Sequence, residues 1–173
     1  MNIEPAQATA KTQESIRAKY DSIYNRIIKR ILGFIFALAA SALVIPIILI
    51  ICIFIMLEDG FPVFYTPLRG GYHGKPFHII KLRTMYRDAD KYGGTTALND
   101  PRITRIGRYL RKLKIDELPQ IFNVLTGTMS FIGPRPELLQ YTEAYQGDEK
   151  LILEVRPGIT DFSSIEFIDL DEI

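Results

Sequence analysis

Two adjacent carboxylates, Asp116 and Glu117, closely follow a strongly basic segment. Residues 102–114 hold six arginines and lysines in a stretch of 13 residues that contains no acid. An ionised carboxylate can act as a nucleophile towards phosphorus, as a ligand of magnesium or as a general base. Nearby cations neutralise phosphate oxygens that would otherwise repel an attacking carboxylate. The arrangement therefore indicates chemistry on a diphosphate, with ordinary helix capping as the alternative use of the two acids.

The basic segment itself has helical spacing. Its members at positions 102, 105, 108 and 112 lie along one side of a helix. Such a stripe can bind lipid phosphates or a nucleotide diphosphate, or it can simply face water.

Two further arginines are held by stiff backbone. Arg135 lies between two prolines, and Arg156 directly precedes another. Each guanidinium can clasp phosphate oxygens in a forked hydrogen bond. A surface salt bridge is an equally good account of either residue.

Composition excludes several other chemistries. The chain has 173 residues, a single cysteine and two histidines. An internal disulfide framework and a multi-cysteine zinc site are excluded, and a histidine metal site is disfavoured. The net charge of +1 and the lack of a recognisable nucleic-acid module argue against nucleic acid as a partner.

The secondary structure around these residues can be predicted from local patterns. Alternation around a Gly-Gly turn predicts a hairpin over residues 63–82, and the breakers in 88–100 predict a loop. Helical periodicity covers 103–113, and a second helix is expected over 116–125, with Pro119 in its first turn. Because a helix N-terminus stabilises negative charge, both acids are expected to stay ionised. The two Arg-Pro stretches near 130–137 and 154–160 read as loops.

The N-terminal part of the chain belongs to a membrane. Residues 31–57 form 27 consecutive residues without a charge, which exceeds the roughly 20 that a helix needs to cross a bilayer. Pro46 lies near the centre of this block and disrupts the helix there, with Ser41 available to bond a freed carbonyl. The residues alone leave open a kinked transmembrane helix or a re-entrant hairpin that leaves on the side it entered.

The segment before the block is basic and amphipathic. Apolar residues recur at helical spacing from Ile16 to Ile31, with arginines and lysines among them. This pattern predicts an interfacial helix within residues 1–30. By the positive-inside rule its side of the membrane is the cytoplasm.

The order of these segments resembles the bacterial sugar transferase family, the small monotopic phosphoglycosyltransferases. The resemblance rests on the membrane block with its central proline, on KLRTM at 81–85, on NDPRITRIGRYLRKLKIDELPQIFNVLTG at 99–127, on MSFIGPRPE at 129–137 and on VRPGIT at 155–160. It implies transfer of a phosphosugar from a UDP-sugar to a polyprenyl phosphate, with release of UMP. The family often continues after VRPGIT with a different segment, so the end of the chain suggests a shortened C-terminus or a divergent subgroup.

The resemblance also implies roles for individual residues. Asp116 would be the nucleophile that forms a covalent phosphosugar ester. Glu117 would be its partner, as a ligand of Mg²⁺ or as a general base. Phosphate contacts would come from Arg135 and, as weaker candidates, from Lys81, Arg83 and Arg102. Arg156 remains a phosphate-binding candidate because of its stiff backbone.

The expected fold is α+β and mostly helical. It comprises the interfacial segment 1–30, a re-entrant membrane helix over 31–57 that breaks at Pro46, and a catalytic domain with a small hairpin over 58–173. Because nucleotide sugars are cytosolic, the resemblance implies a monotopic protein with its catalytic domain on the cytoplasmic face of the bacterial inner membrane. The expected partners are the two substrates and membrane lipids, and homo-oligomerisation is left open. The sugar and the glycan pathway cannot be read from the residues. The alternative function is a non-catalytic membrane adaptor that binds anionic lipid.

Overall fold

The structure is a computed structural model that describes residues 23, 27–87, 89 and 100–161. The predictions for the N-terminal interfacial helix, for most of the 88–100 loop and for the end of the chain therefore fall largely outside the described residues. Within them the protein is mostly helical with small sheets, as expected. The division into three segments stays a prediction.

The apolar block forms one long helix, α1, from Lys29 to Asp59. The helix runs on through Pro46, so the re-entrant bend expected there stays a prediction. The Ser41 hydroxyl donates to the carbonyl of Ala37 at 2.6 Å. It therefore does not bond the Ala42 carbonyl, whose usual donor Pro46 lacks, and that expectation was wrong.

One stripe of α1 packs against the rest of the protein. Ala37, Ser41, Ile48 and Ile55 are buried at helical spacing, while most of the other large apolar side chains of the helix are exposed. Only 17% of its most apolar 18-residue window is buried, and the helix is long and apolar enough to cross a membrane. A core helix of a soluble protein would be buried on more of its surface, so the exposed faces suit lipid.

The predicted hairpin is confirmed within its bounds. Strand β1 (Phe64–Tyr65) pairs antiparallel with β4 (Lys81–Leu82). Strand β2 (Leu68–Gly70) pairs antiparallel with β3 (Pro76–His78). A 3₁₀ turn at Tyr72–Gly74 connects the two inner strands.

The basic segment forms helix α2, Arg105–Lys112, close to its predicted bounds. The Thr104 hydroxyl caps it by accepting from the backbone N–H of Gly107 at 2.8 Å. A side chain at Gly107 would meet the Thr84 carbonyl at 2.1 Å. Glycine at this position therefore allows α2 to approach the segment that follows β4.

The second helix is shorter than expected. Lys114 adopts a left-handed conformation with φ 53°, and the two acids lie on a 3₁₀ turn at Ile115–Glu117. The α-helix proper, α3, spans Gln120–Thr126 and ends at Gly127 with φ 86°. Pro119 stands immediately before it, and a proline that cannot donate a backbone hydrogen bond marks the start of α3 rather than lying inside it.

The two Arg-Pro stretches contain a small sheet that was predicted as loop. Strand β5 (Ser130–Ile132) pairs in parallel with β6 (Gly158–Thr160). Helix α4 (Leu139–Ala144) and a 3₁₀ segment (Gly147–Glu154) form the connection between them. Each strand is only three residues long, so no alternation could distinguish it from a loop.

The domain is fixed to α1 along most of the length of the helix. Ala37 belongs to one apolar cluster with α3, and Ile48 and Ile55 belong to a second with β4 and α2. At the end of α1 the Glu58 carboxylate accepts from the backbone N–H groups of Arg105 at 2.7 Å and Ile106 at 3.1 Å. The apolar helix and the N-terminus of α2 therefore hold each other in place.

Candidate active site

A cavity of about 870 Å³ opens beside the two acids. This volume lies within the range of small-molecule sites. Its walls come from the hairpin, from the end of α2, from the 3₁₀ turn with the acids and from the Pro-Arg-Pro segment. Among the described residues, two carboxylates and seven cations line it: Asp116 and Glu117 with Arg69, Lys81, Arg83, Arg87, Arg111, Lys114 and Arg135.

The two carboxylates have different surroundings. Lys81 Nζ lies 2.7 Å from Glu117 Oε1, and Arg135 Nη2 lies 3.5 Å from the same oxygen. Burial alone would raise the pKa of Glu117, but Lys81 and Arg135 hold it below its ordinary value. Burial raises the pKa of Asp116, against the opposing effect of Lys81. The expected common stabilisation at a helix N-terminus is therefore replaced by separate environments on a 3₁₀ turn.

The opposite pKa shifts of Asp116 and Glu117 suit the two carboxylates to different chemical roles. A carboxylate with a raised pKa is the more basic one and, once ionised, the stronger nucleophile. A carboxylate held ionised by two cations is a poor base but a ready ligand for a metal. Asp116 has the first environment and Glu117 the second.

Lys81 reaches the site because a buried amide fixes the hairpin to α3. Asn123 donates through Nδ2 to the carbonyl of His78 at 2.8 Å. Its Oδ1 accepts from the backbone N–H of Ile80 at 2.9 Å. These bonds hold β4 against the acid-bearing turn and satisfy polar groups that would otherwise be buried without partners. The sequence offered no signal for this role of Asn123.

Arg135 and Arg111 bring guanidinium groups to the cavity. The Arg135 side chain is 61% exposed, so most of its donors face open space. Arg111 Nε donates to the Thr84 hydroxyl at 2.8 Å, and its charge acts on Asp116. Arg111 belonged to the basic segment but was not predicted as a site residue. Its position five residues before Asp116 was the available signal.

Arg83 contacts the end of α1 and also lines the cavity. Its Nη2 donates to the carbonyls of Asp59 at 3.1 Å and Gly60 at 2.7 Å, and lies 3.0 Å from the Asp59 carboxylate. Its Nε and Nη1 are buried and have no hydrogen-bond partner among the residues that the structure describes. Arg83 therefore fixes the end of α1 and also lines the cavity.

Two of the predicted phosphate-binding arginines lie outside this cavity. Arg102 forms a forked pair with Asp100, from Nε at 2.9 Å and from Nη2 at 2.6 Å, and lowers the pKa of Asp100 to about 2. Arg156 donates through Nε to the carbonyl of Gly127 at 3.1 Å and stacks over the ring of Tyr72. Sequence spacing could not separate them from Lys81, Arg83 and Arg135, which the fold brings together.

The donor set of the cavity suits magnesium. Among the residues described, no three acids, histidines or cysteines form a group that could hold a metal ion by themselves. Magnesium is commonly held by one or two carboxylates, with substrate phosphates supplying further oxygens. Asp116 and Glu117 meet that requirement.

The chain matches the family model for bacterial sugar transferases over residues 24–171. A Bacillus subtilis (strain 168) protein provisionally named an undecaprenyl-phosphate N-acetylgalactosaminyl 1-phosphate transferase is 50% identical over 122 residues, which are 70% of this chain and 68% of that protein. The UDP-glucose:undecaprenyl-phosphate glucose-1-phosphate transferase of Escherichia coli (strain K12) is 39% identical over 82% of this chain and 31% of its own length. The UDP-N-acetylgalactosamine-undecaprenyl-phosphate N-acetylgalactosaminephosphotransferase of Aeromonas hydrophila is 38% identical over 80% of this chain and 34% of its own length.

These relatives confirm the expectation of an enzyme of the phosphoglycosyltransferase type, and they disfavour the non-catalytic adaptor. The model match covers the apolar helix, the basic segment, the acid pair and the small parallel sheet. The chain belongs to the bacterial sugar transferase family.

Proposed function

We propose that the protein transfers a phosphosugar from a UDP-sugar to a polyprenyl phosphate, such as undecaprenyl phosphate, and releases UMP. This reaction would begin the assembly of a bacterial glycan at the membrane. The names of the relatives support both substrates. The observation that carries the proposal is one cavity that joins two carboxylates to seven cations, since a substrate with several phosphate charges needs such surroundings.

Asp116 is the nucleophile of the first half-reaction. One of its oxygens attacks the phosphorus that bears the sugar. The bond between this phosphorus and the bridging oxygen breaks, and its electron pair stays on the departing UMP. The product is an aspartyl phosphosugar. Lys81 and Arg111, the two cations that act on Asp116, oppose the repulsion between the incoming carboxylate and the phosphate oxygens.

The acceptor phosphate completes the second half-reaction. One of its oxygens attacks the same phosphorus, the bond to Asp116 breaks, and the carboxylate is regenerated. The second pKa of a phosphate monoester is about 6, so the acceptor is largely a dianion at neutral pH. No strong base is needed, which agrees with the depressed pKa of Glu117.

Glu117 is therefore assigned to metal binding rather than to proton abstraction. Together with Asp116 it would hold Mg²⁺, which neutralises phosphate oxygens when bound. Lys81 and Arg135 keep Glu117 ionised, and a carboxylate must be ionised to serve as a ligand.

We further propose a monotopic arrangement at the cytoplasmic face of the inner membrane. Helix α1 is about 46 Å long at 1.5 Å per residue, and the polar domain contacts it near both ends, through Arg30 and through Glu58. If α1 crossed the bilayer fully, this domain would be drawn across the hydrocarbon with it. A return to the same face, next to cytosolic nucleotide sugars, avoids that cost.

The test is a reaction of the detergent-solubilised protein with Mg²⁺, polyprenyl phosphate and a panel of UDP-sugars. Release of UMP that requires the acceptor for multiple turnovers is expected with at least one sugar, together with loss of activity on chelation of Mg²⁺. Omission of the acceptor should leave an adduct with the mass of one phosphosugar. Silence across the panel would contradict the proposed reaction, and turnover without any adduct would contradict the covalent mechanism.

A further inference from the structure

Arg69 is a cavity residue to which no role has been given above. It lies in the middle of β2, opposite Phe77 of β3, and its backbone also forms a bridge with Leu138, before α4. The neighbouring Gly70 N–H donates to the carbonyl of Glu137 at 3.0 Å. Backbone contacts on both sides therefore fix the starting point of this long side chain.

The guanidinium of Arg69 has an unused donor. Its Nη1 is buried and has no hydrogen-bond partner in the described part of the chain. A buried donor without a partner is unfavourable, and more so when it carries charge. Burial lowers the pKa of Arg69, and the charge of Arg135 lowers it further, against the opposing effect of Tyr65. Two guanidinium groups that line one cavity are stabilised when an anion binds between them.

Arg69 lies farther from the carboxylates than Arg135 does. Arg135 Nη2 lies 3.5 Å from Glu117 Oε1, whereas Arg69 lines the same cavity but forms no ion pair with either acid in the described part of the chain. The backbone of Arg69 pairs with Leu138, three residues after Arg135. Arg69 and Arg135 can therefore hold a phosphate other than the one that Asp116 attacks.

We propose that Arg69 and Arg135 form a phosphate subsite on the side of the reacting phosphorus opposite Asp116. The phosphate of UMP and the phosphate of the acceptor occupy this subsite in turn. This inference rests on the proposed function. In phosphoryl transfer the attacking and leaving oxygens lie roughly in line. The α-phosphate of UMP leaves opposite Asp116 in the first half-reaction. The acceptor phosphate must approach along the same line in the second, because Asp116 is then the leaving group.

The electron pairs balance at this subsite. In the first half-reaction the UMP oxygen takes the electron pair of the broken bond while Arg69 holds its phosphate. In the second, an oxygen of the acceptor phosphate supplies the pair for the new bond, and Asp116 takes the pair of the old one. Arg69 contacts the phosphate group of each ligand and thus serves in both steps.

The test measures two constants in parallel. In Arg69→Gln, the inhibition constant of UMP and the KM of the polyprenyl phosphate should rise by a similar factor, about ten- to a hundred-fold for the loss of one charge-assisted hydrogen bond. Arg69→Lys, which keeps the charge but loses the fork, should shift both constants in parallel by a smaller factor. Lys150→Gln is the control, because Lys150 is an exposed cation on the 3₁₀ segment Gly147–Glu154, outside both the basic stripe and the cavity.

Each outcome has a distinct meaning. A rise in the acceptor KM alone, or in the UMP inhibition constant alone, would overturn a shared subsite, and so would unchanged constants in a folded Arg69→Gln protein. If Arg69→Gln does not fold, the lysine variant decides by the same comparison. Wild-type protein that releases no UMP would contradict the proposed function instead.

Discussion

Two of the cavities in the described part of the chain are lined by several cations, and the cations have different roles in the two cavities. In the large cavity, which we call the catalytic cavity, the Arg135 side chain is mostly exposed, and Arg69 Nη1 has no hydrogen-bond partner among the described residues. In a small cavity at the start of α1, Arg30 donates to the carbonyls of Val124 and, at 2.7 Å, Leu125. Clustered charge therefore does not by itself identify a substrate site, whereas unused donors beside carboxylates do.

The small cavity completes the end of a helix. The carbonyls that Arg30 and Arg156 contact belong to the last turn of α3 and its cap. The arginines supply donors where a helix end has few backbone donors of its own, although the Val124 carbonyl also accepts from the backbone N–H of Gly127 at 3.1 Å. Its volume of about 30 Å³ leaves room for only a few water molecules. The catalytic cavity is large enough for a nucleotide sugar, so only one of the two basic clusters is available to a substrate.

The largest effect is expected from Asp116→Asn, which removes the nucleophile from the catalytic cavity and nearly preserves its shape. Turnover should fall by at least about 10³-fold, and no phosphosugar adduct should form. The melting temperature should not fall, because burial disfavours the charged form of Asp116. UMP release, intact-protein mass spectrometry and thermal unfolding check these points.

The matched control for this variant is Glu143→Gln, which removes an exposed carboxylate on α4. It should turn over like the wild type. Activity above about 1% of wild type in Asp116→Asn would remove Asp116 from the role of nucleophile.

The next effect concerns the cation shared by both acids. Lys81→Met should lower kcat/KM by about 10²-fold, because Glu117 loses the ion pair in which Lys81 Nζ lies 2.7 Å from its Oε1. Lys81 lowers the pKa of both carboxylates. Without it both pKa values rise, less carboxylate is ionised at a given pH, and the acidic limb of the pH–rate profile moves to higher pH.

Lys150→Met serves as the control, since Lys150 is an exposed lysine on the 3₁₀ segment Gly147–Glu154, outside the cavity and the basic stripe. Its profile should overlay that of the wild type. A fall in rate without movement of the acidic limb would mean that Lys81 does not set the ionisation of the acids.

The elements that arise from local patterns could be predicted from the sequence. The apolar helix, the hairpin and α2 each depend on periodicity within a short stretch, and all three were found. The pairing of β5 with β6 joins strands of three residues that are distant in sequence, so no local pattern could reveal it. The turn at Asp116 and Glu117 was misjudged because Pro119 was taken as part of the helix and not as its boundary.

The same distinction applies to the site. The acid pair was visible as adjacent residues, and Arg135 as an arginine between two prolines, whereas Lys81 came from family resemblance. Arg69 was missed because it joins the cavity only through the folding of the hairpin. Arg156 was predicted to bind phosphate, but its structural partner is a backbone carbonyl, and backbone acceptors have no sequence signature.

A moderate effect on stability, and not on chemistry, is expected in the small cavity. Arg30→Met should lower the free energy of unfolding by about 1–3 kcal/mol, because the carbonyls of Val124 and Leu125 lose their bonds from Arg30 and, within the described residues, only the Val124 carbonyl keeps another, from the backbone N–H of Gly127. The KM values of both substrates should stay unchanged. Denaturation in detergent measures the loss of stability, and steady-state kinetics measure the KM values.

Arg105→Met, at an exposed position of α2, is the control. A rise in substrate KM without loss of stability would show that both cavities bind substrate.

The smallest effect is expected from Arg102→Ala. Family resemblance assigned this arginine to phosphate, but its guanidinium is directed to Asp100 and lies outside the catalytic cavity. We expect kcat/KM within about threefold of wild type, as for a surface change away from the site, together with a small fall in melting temperature.

Asp100→Asn should lower the melting temperature by a similar amount, because each variant breaks the same ion pair. The contribution of the Asp100–Arg102 pair to stability should persist from neutral pH down to about pH 4 and be lost as the pH falls towards 2. The lowered pKa of Asp100 means that the folded protein stabilises its charged form, and this form is lost on protonation. A tenfold rise in the KM of the UDP-sugar for Arg102→Ala alone would show that a fully paired arginine can still serve a substrate, and unused donors would then no longer separate the two cavities.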